Sequence, residues 1–216
     1  SDSADTEYDT FNTEILKIPF ESKYIDTHKL TPTQREYIRV TKHIWDDYIT
    51  TVKTFPRYGD FKRAFEFDVY QFINSMRYAH FVNTTPNVSN LLENRTYGHH
   101  SMIVILTGLM DLMNIKTFDL EEFPKIRKIL YYSQQLARIG NMMNTYPREI
   151  IEKDVSSEIM TLAIENKALS REAIQNDKNT QEKLKKISKL ENNFEKLWAT
   201  LYSEIEKTGK EIKSLD

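Results

Sequence analysis

Apolar residues recur along most of this chain with the three-to-four-residue spacing that is typical of amphipathic α-helices. The clearest case is a helix predicted over residues 60–83. One face of that helix carries an apolar stripe, formed by Phe65, Val69, Phe72, Ile73 and Met76. Proline-containing segments at 55–59 and 84–87 interrupt the periodic pattern on either side. The pattern therefore predicts an all-α chain.

The same reading predicts several further helices. Together the predicted helical segments cover residues 33–54, 60–83, 88–96, 98–114, 124–152, 153–166 and 170–213, with a bend expected between 152 and 153. Residues 1–18 precede the first periodic segment and begin with a polar, acidic stretch, so we expect them to be irregular or flexible. No linker separates the helices, and the length supports one hydrophobic core. We therefore predict a single helical domain over 1–216.

Composition and charge exclude several function classes. The net charge of −2 and the pI of about 6.2 argue against a surface built mainly for nucleic acid. The chain has no cysteine, hence no disulfide and no thiolate chemistry, which is consistent with a reducing, cytoplasmic location. The longest apolar stretch, 102–113, is too short to span a bilayer, so we expect a buried helix and no transmembrane segment.

One short segment carries candidate metal chemistry. Asn141, Thr145 and Glu149 are spaced four residues apart, so on an α-helix their side chains share one face. An amide oxygen, a hydroxyl and a carboxylate form a hard-oxygen site of the kind that Mg²⁺ prefers. The competing interpretation is an ordinary polar helix face. Pro147 lies inside this segment and is expected to kink the helix.

The residues around this segment resemble the second metal-binding motif of class I terpene synthases. They read Arg138-Ile-Gly-Asn141, Thr145, Arg148-Glu149 and Glu152-Lys-Asp-Val155. The resemblance implies that Asn141, Thr145 and Glu149 bind metal. It also implies that Arg138 and Arg148 hold a diphosphate. Met142 stands where the family usually has a second aspartate, which is generally not a ligand.

A second resemblance to the same family lies further upstream. Arg95 precedes Asn141 by 46 positions, the separation at which bacterial members carry a diphosphate-sensing arginine. The family's form there is close to Arg-Arg-x-Thr-x-Gly. This chain has Asn94 in place of the first arginine, and its Thr96 and Gly98 are slightly shifted. The resemblance implies that Arg95 is the sensor and acts in catalysis.

Two adjacent histidines, His99 and His100, follow this segment. Successive residues of an α-helix point in different directions, so the two cannot both face one helical site. The sequence therefore favours an ordinary buried histidine, or one bonded at a helix start, over a functional pair.

The resemblance implies both a fold and a reaction. The fold would be an antiparallel helical bundle of the class I terpenoid synthase type, without its N-terminal helices. The reaction would be Mg²⁺-dependent ionisation of a prenyl diphosphate, with Mn²⁺ as an alternative ion, followed by cyclisation of the carbocation. A homodimer is a further expectation. The apolar pocket would be lined by Phe65, Phe72, Met76 and Met142.

The Asp-rich motif of this family has no convincing counterpart here. Asp2 and Asp5 fit it incompletely, and the Asp46-Asp47 doublet lies too near the second motif. We expect the missing motif either upstream of this chain or lost. Two alternatives to a cyclase therefore stay open. One is a helical module that binds a prenyl diphosphate without ionising it. The other is a helical interaction module, which predicts a filled core instead of an open apolar pocket.

Overall fold

The computed structural model describes residues 10–176 and 178–214. Every regular element in these two ranges is helical, which confirms the predicted all-α class. The finer prediction of a terpenoid-synthase type of bundle stays a prediction. The chain divides into two compact units, Ser1–Lys62 and Arg63–Asp216, which are described separately, and the single domain over 1–216 likewise stays a prediction.

The helices follow one another with short connections. In the described part of the chain they are α1 (Ile18–Glu21), α2 (Pro32–Val52), α3 (Tyr58–Thr84), α4 (Leu91–Tyr97), α5 (Val104–Asn114), α6 (Phe123–Glu152), α7 (Glu158–Glu165), α8 (Arg171–Gln175), α9 (Thr180–Ser188) and α10 (Glu191–Gly209). Short 3₁₀ segments span Ser22–Tyr24, Gly98–Met102 and Leu120–Glu122. Within those same limits, no helix combines the length and the apolar character that crossing a membrane requires.

The first unit contains one correction to the sequence prediction. Residues 10–15 are helical, whereas 1–18 were expected to be irregular; residues 1–9 lie outside the described part. The reason is local packing and pairing. Ile18 is buried against Leu30 and Ile38. Glu14 accepts the backbone N–H of Asp26 at 2.6 Å, which ties this segment to the connection that precedes α2.

The second unit is organised around α6. Helices α5 and α10 pack along it, and α7 and α9 also contact it. Its inward face carries Leu136, Ile139, Met142, Tyr146 and Ile150, which are all buried. The other buried apolar side chains of this core come mainly from α7, α9 and α10, and include Ile159, Met160, Ile187, Phe194 and Leu201. The three- and four-residue spacing of the α6 residues is the amphipathic pattern that predicted the helix.

The segment predicted as a helix over 153–166 is only partly helical. Helix α6 ends at Glu152, Lys153 adopts a left-handed conformation with φ of 61°, and α7 begins only at Glu158. The intervening backbone is held by the Asn83 side chain. Its Oδ1 accepts the N–H of Val155 at 2.9 Å, and its Nδ2 donates to Asp154 at 2.9 Å. These bonds replace the helical ones that the sequence pattern predicted.

The segment predicted as one helix over 170–213 is three helices, α8, α9 and α10. A buried lysine explains the break between the first two. Lys183 of α9 is buried, and its ammonium group donates to the carbonyl oxygens of Ile174 and Asn176. A buried charge requires such partners, so the chain between α8 and α9 leaves the helical path to supply them.

The contact between α5 and α6 gives a stability prediction. A Cβ atom at Gly108 would lie 2.4 Å from Leu130 Cδ2. We expect Gly108→Ala to lower the free energy of unfolding by about 1–3 kcal/mol, because Leu130 must leave its position. Urea unfolding measures this. Gly209→Ala is the control, since nothing lies within 4 Å of a Cβ there. Equal stabilities of the two variants would contradict the packing described.

Candidate functional site

One cavity in the second unit brings together residues that the sequence had singled out separately. It lies between α4, α6, α7 and α10 and has a volume of about 140 Å³. Arg95 and Arg138, which are 43 positions apart, both line it. The complete lining consists of Asn94, Arg95, His99, Gln135, Arg138, Ile139, Glu158 and Leu197.

Helix α4 is fixed in place by polar contacts on its buried side. The side chain of Asn90 accepts the N–H of Glu93 and caps the helix. Asn94 is buried and donates to the carbonyl oxygen of Ser156 at 2.7 Å and to Thr161 Oγ1 at 3.1 Å. Asn94 therefore binds α4 to α7 and to the segment before it. This contact sets the position of the neighbouring Arg95.

Arg95 forms an ion pair across the cavity. Its Nε donates to Glu158 Oε1 at 2.6 Å, and the Glu158 side chain is buried whereas that of Arg95 is 46% exposed. Glu158 is the first residue of α7, where the helix dipole also favours a negative charge. The two NH₂ groups of the guanidinium lie outside this bond. Sequence reasoning missed Glu158, since nothing in its spacing links it to a residue 63 positions away.

Arg138 enters the cavity from α6. Its Nε is buried and, among the residues that the structure describes, it meets no hydrogen-bond acceptor. A buried donor without an acceptor costs about 1–3 kcal/mol, and more when the group is charged. Binding of an acceptor, whether water or the oxygen of a ligand, would remove that cost. A guanidinium group with an unpaired donor, on a residue that lines the cavity, favours an anionic ligand.

His99 lines the same cavity and is only 3% exposed, which confirms the expectation of a buried histidine. Its Nδ1 lies 2.8 Å from the carbonyl oxygen of Arg95. Because that oxygen can only accept, Nδ1 carries the proton and Nε2 does not. Nε2 is buried and has no partner among the described residues. Burial, assisted by His100 and Arg138, lowers the pKa of His99 to about 4, so the ring is neutral.

His100 packs beside His99, which the prediction of an α-helix here did not allow. Residues 98–102 form a 3₁₀ segment, and the two imidazole centroids are 4.2 Å apart. His100 Nδ1 lies 3.2 Å from Gln134 Nε2, and Gln134 Oε1 accepts the N–H of Ile105. Burial, with a smaller effect of Arg127, lowers the pKa of His100 to about 4. His100 does not line the cavity.

The predicted metal ligands lie further along α6 and do not line the cavity. Asn141 is exposed, and Thr145 Oγ1 lies 2.7 Å from Glu149 Oε1 and 3.0 Å from the carbonyl oxygen of Asn141. Glu149 is buried, and its Oε2 has no partner among the residues described. An unpaired buried carboxylate oxygen is what a bound cation would neutralise, so Thr145 and Glu149 fit a metal ion. Helix α6 runs without interruption through Pro147 to its end.

The third predicted arginine, Arg148, has a different environment. Its side chain is 66% exposed, and Nε lies 3.3 Å from Glu152 Oε1 one turn further along the helix. Such a surface pair contributes little to stability. Arg148 does not line the cavity. The structure therefore brings together two of the three arginines predicted to hold a diphosphate.

The predicted apolar pocket is not assembled around this cavity. Phe65 and Met142 are buried in the core, Phe72 is half-buried, and Met76 is 43% exposed. None of these four residues lines the cavity. Met142 instead packs against α7, where its sulfur accepts the N–H of Ile159 at 3.1 Å. Met142 and Ile159 belong to one buried apolar cluster between these helices.

The acidic residues considered for a second metal motif give no support for one. Asp2 and Asp5 lie outside the described residues. Asp46, in the first unit, is paired with Lys42 at 2.6 Å, and Asp47 lies 3.6 Å from His43. Over the described ranges, no three His, Asp or Glu side chains converge as metal ligands.

Comparisons of the chain with family models, with curated proteins and with solved structures give no match.

The two histidines predict a pH dependence of stability. Their pKa values are about 4 in the folded chain and 6.5 ordinarily. Between these values the unfolded chain binds more protons, so the free energy of unfolding falls as pH falls through this window. Urea unfolding at about pH 7 and pH 5 measures this loss. The free energy of unfolding should fall less between the two pH values in the double variant His99→Asn/His100→Asn than in the unaltered chain. An equal fall in both proteins would contradict the burial of neutral histidines.

Proposed function

We propose that this chain binds a prenyl diphosphate, with the diphosphate group held at the cavity by Arg95 and Arg138. One observation carries the proposal. Two arginines that the sequence resemblance selected independently, from different segments, line the same cavity. Helices α4 and α6 bring them together although 43 residues separate them.

The charges and donors of the cavity suit a diphosphate. With His99 neutral, its lining carries two positive charges and one negative charge, from Glu158. Arg138 Nε is unpaired, and Arg95 has two NH₂ groups outside its ion pair. Guanidinium groups form directed, charge-assisted bonds with phosphate oxygens. Asn94 and Gln135 add amide groups to the same wall.

A metal ion, Mg²⁺ or Mn²⁺, is part of the proposal. Thr145 and Glu149 would hold it, together with Asn141, because Glu149 Oε2 is buried without a partner. When bound, such an ion would neutralise the buried Glu149 carboxylate and supply positive charge on α6, the helix that also carries Arg138. The protein residues themselves bind and orient the diphosphate through Arg95 and Arg138.

Ionisation and cyclisation form the stronger version of this proposal. They require an enclosed apolar space for the prenyl chain, and ligand pockets usually have volumes of about 300–1,000 Å³. The cavity of about 140 Å³, together with the burial of Phe65 and Met142 in the core instead of the cavity wall, favours binding of the diphosphate group alone. The non-ionising binder, which the sequence left open as an alternative, is therefore the better supported form.

Binding measurements on three arginine variants test the proposal. Isothermal titration calorimetry with pyrophosphate and with farnesyl diphosphate, with and without Mg²⁺, should detect binding by the unaltered chain. Arg95→Gln and Arg138→Gln should each weaken it by about ten- to a hundredfold, because each removes a charge-assisted bond. Arg148→Gln is the matched control and should bind normally, since Arg148 lies outside the cavity. Equal effects of the three substitutions would contradict the proposed site.

A turnover assay separates the two forms of the proposal. The chain would be incubated with Mg²⁺ and geranyl, farnesyl or geranylgeranyl diphosphate, and released diphosphate and volatile products would be measured. Product that is lost in Asn141→Ala/Glu149→Ala would establish the cyclase. Binding without product is the expected result. Absence of both binding and product would leave the interaction module as the remaining interpretation.

A further inference from the structure

Among the residues that line the cavity, His99 has a ring nitrogen, Nε2, whose role the proposed function leaves unexplained. The ring is 97% buried, lines the cavity and has no partner for this nitrogen among the described residues. Its other nitrogen is bonded to the carbonyl oxygen of Arg95 at 2.8 Å. His99 therefore brings an acceptor nitrogen that has no protein partner to a cavity whose lining also carries two arginines.

A lone pair and an anionic oxygen repel each other unless a proton lies between them. We propose that the cavity binds its anion together with one proton, held between His99 Nε2 and an oxygen of the bound diphosphate. The proposal rests on the proposed function. Its consequence is that the complex carries one proton more than the free chain and the free anion together, and that His99 is the residue responsible. The proton comes from solvent and forms an Nε2–H bond or a P–O–H bond, and no bond of the ligand breaks.

The groups around His99 explain why the proton is absent before the anion binds. They are Arg95 from α4, His100 from the same 3₁₀ segment, Tyr131 and Arg138 from α6, and Glu158 from α7, and α10 adds the apolar Leu197. Without a bound anion, burial holds the pKa of His99 near 4, assisted by His100 and Arg138. A diphosphate would place negative charge beside the ring and favour the protonated form.

The Arg95 carbonyl makes this coupling specific. His99 has a second way to meet an anion, which is to move its proton from Nδ1 to Nε2 without taking up another one. That exchange would remove the hydrogen bond to the Arg95 carbonyl and leave a buried oxygen unsatisfied. Uptake of a proton keeps this bond and adds a new one to the ligand. The geometry therefore favours proton uptake over exchange of tautomers.

The test uses pyrophosphate without metal and the full chain. Calorimetric titration in buffers with different ionisation enthalpies counts the protons taken up on binding. On binding pyrophosphate, the unaltered chain should take up about one proton more than His99→Asn does. Its affinity for pyrophosphate, divided by that of His99→Asn, should rise by up to tenfold per unit decrease in pH. His99→Asn is chosen because its amide can still donate to the Arg95 carbonyl. His100→Asn is the matched control, because His100 is equally perturbed but lies outside the cavity.

Nitrogen NMR of the unaltered chain provides a second measurement that does not depend on any variant. Without ligand, the His99 signals should show protonated Nδ1 and unprotonated Nε2. With pyrophosphate they should change to a ring whose Nε2 bears or shares a proton, while His100, which lies outside the cavity, stays a neutral ring and serves as the internal control.

The outcomes separate this inference from the proposed function. Excess proton uptake that is lost in His99→Asn and kept in His100→Asn supports both. Binding without excess proton uptake, or with a signal showing that Nδ1 has lost its proton, overturns the inference and leaves the diphosphate site standing. If the unaltered chain binds no pyrophosphate between about pH 5 and pH 8, both the site and the inference are rejected.

Discussion

Burial of one face of α6 is the constraint on which the second unit depends. Because an α-helix has 3.6 residues per turn, placing Ile139, Met142 and Ile150 in the core fixes the direction of every other side chain on that helix. Arg138 then lines the cavity together with residues of α4 and α7, and the Glu149 side chain is buried. The packing that stabilises the fold therefore also determines the direction of the candidate functional side chains.

The cavity also requires that α4, the helix that carries Arg95, be held close to α6. Helix α4 has only seven residues and would not be stable in isolation. It is held by Asn94, which reaches across to α7, and by Glu165, which accepts the N–H of Leu91 at 2.6 Å. The non-helical turn at 154–157 presents the Ser156 carbonyl to Asn94. The break in the predicted 153–166 helix thus supports the position of Arg95.

The sequence predicted the parts of this arrangement that depend on local pattern. The main helices were accessible from periodicity, and the candidacy of Arg95 and Arg138 from resemblance. A bend after Glu152 was also expected, but the non-helical backbone at 154–157 was not, because Asn83 holds it from 70 or more positions away. The ion pair of Arg95 with Glu158 and the burial of Met142 in the core depend on long-range packing as well. Side-chain spacing along one helix contains no information of that kind.

The distribution of unsatisfied polar atoms connects fold and function. Folded proteins satisfy most buried polar groups, so the exceptions require an explanation. In the described residues the exceptions are Tyr78 Oη, His99 Nε2, Arg138 Nε, Glu149 Oε2 and Ser157 Oγ. Two of these atoms belong to residues that line the cavity, His99 and Arg138, and a third belongs to a predicted metal ligand, Glu149. A chain that needed only a stable core would gain by pairing or removing these groups. Arg138 and Glu149 are also two of the residues that sequence resemblance had selected, and on this coincidence of resemblance and unsatisfied polar atoms the binding proposal depends.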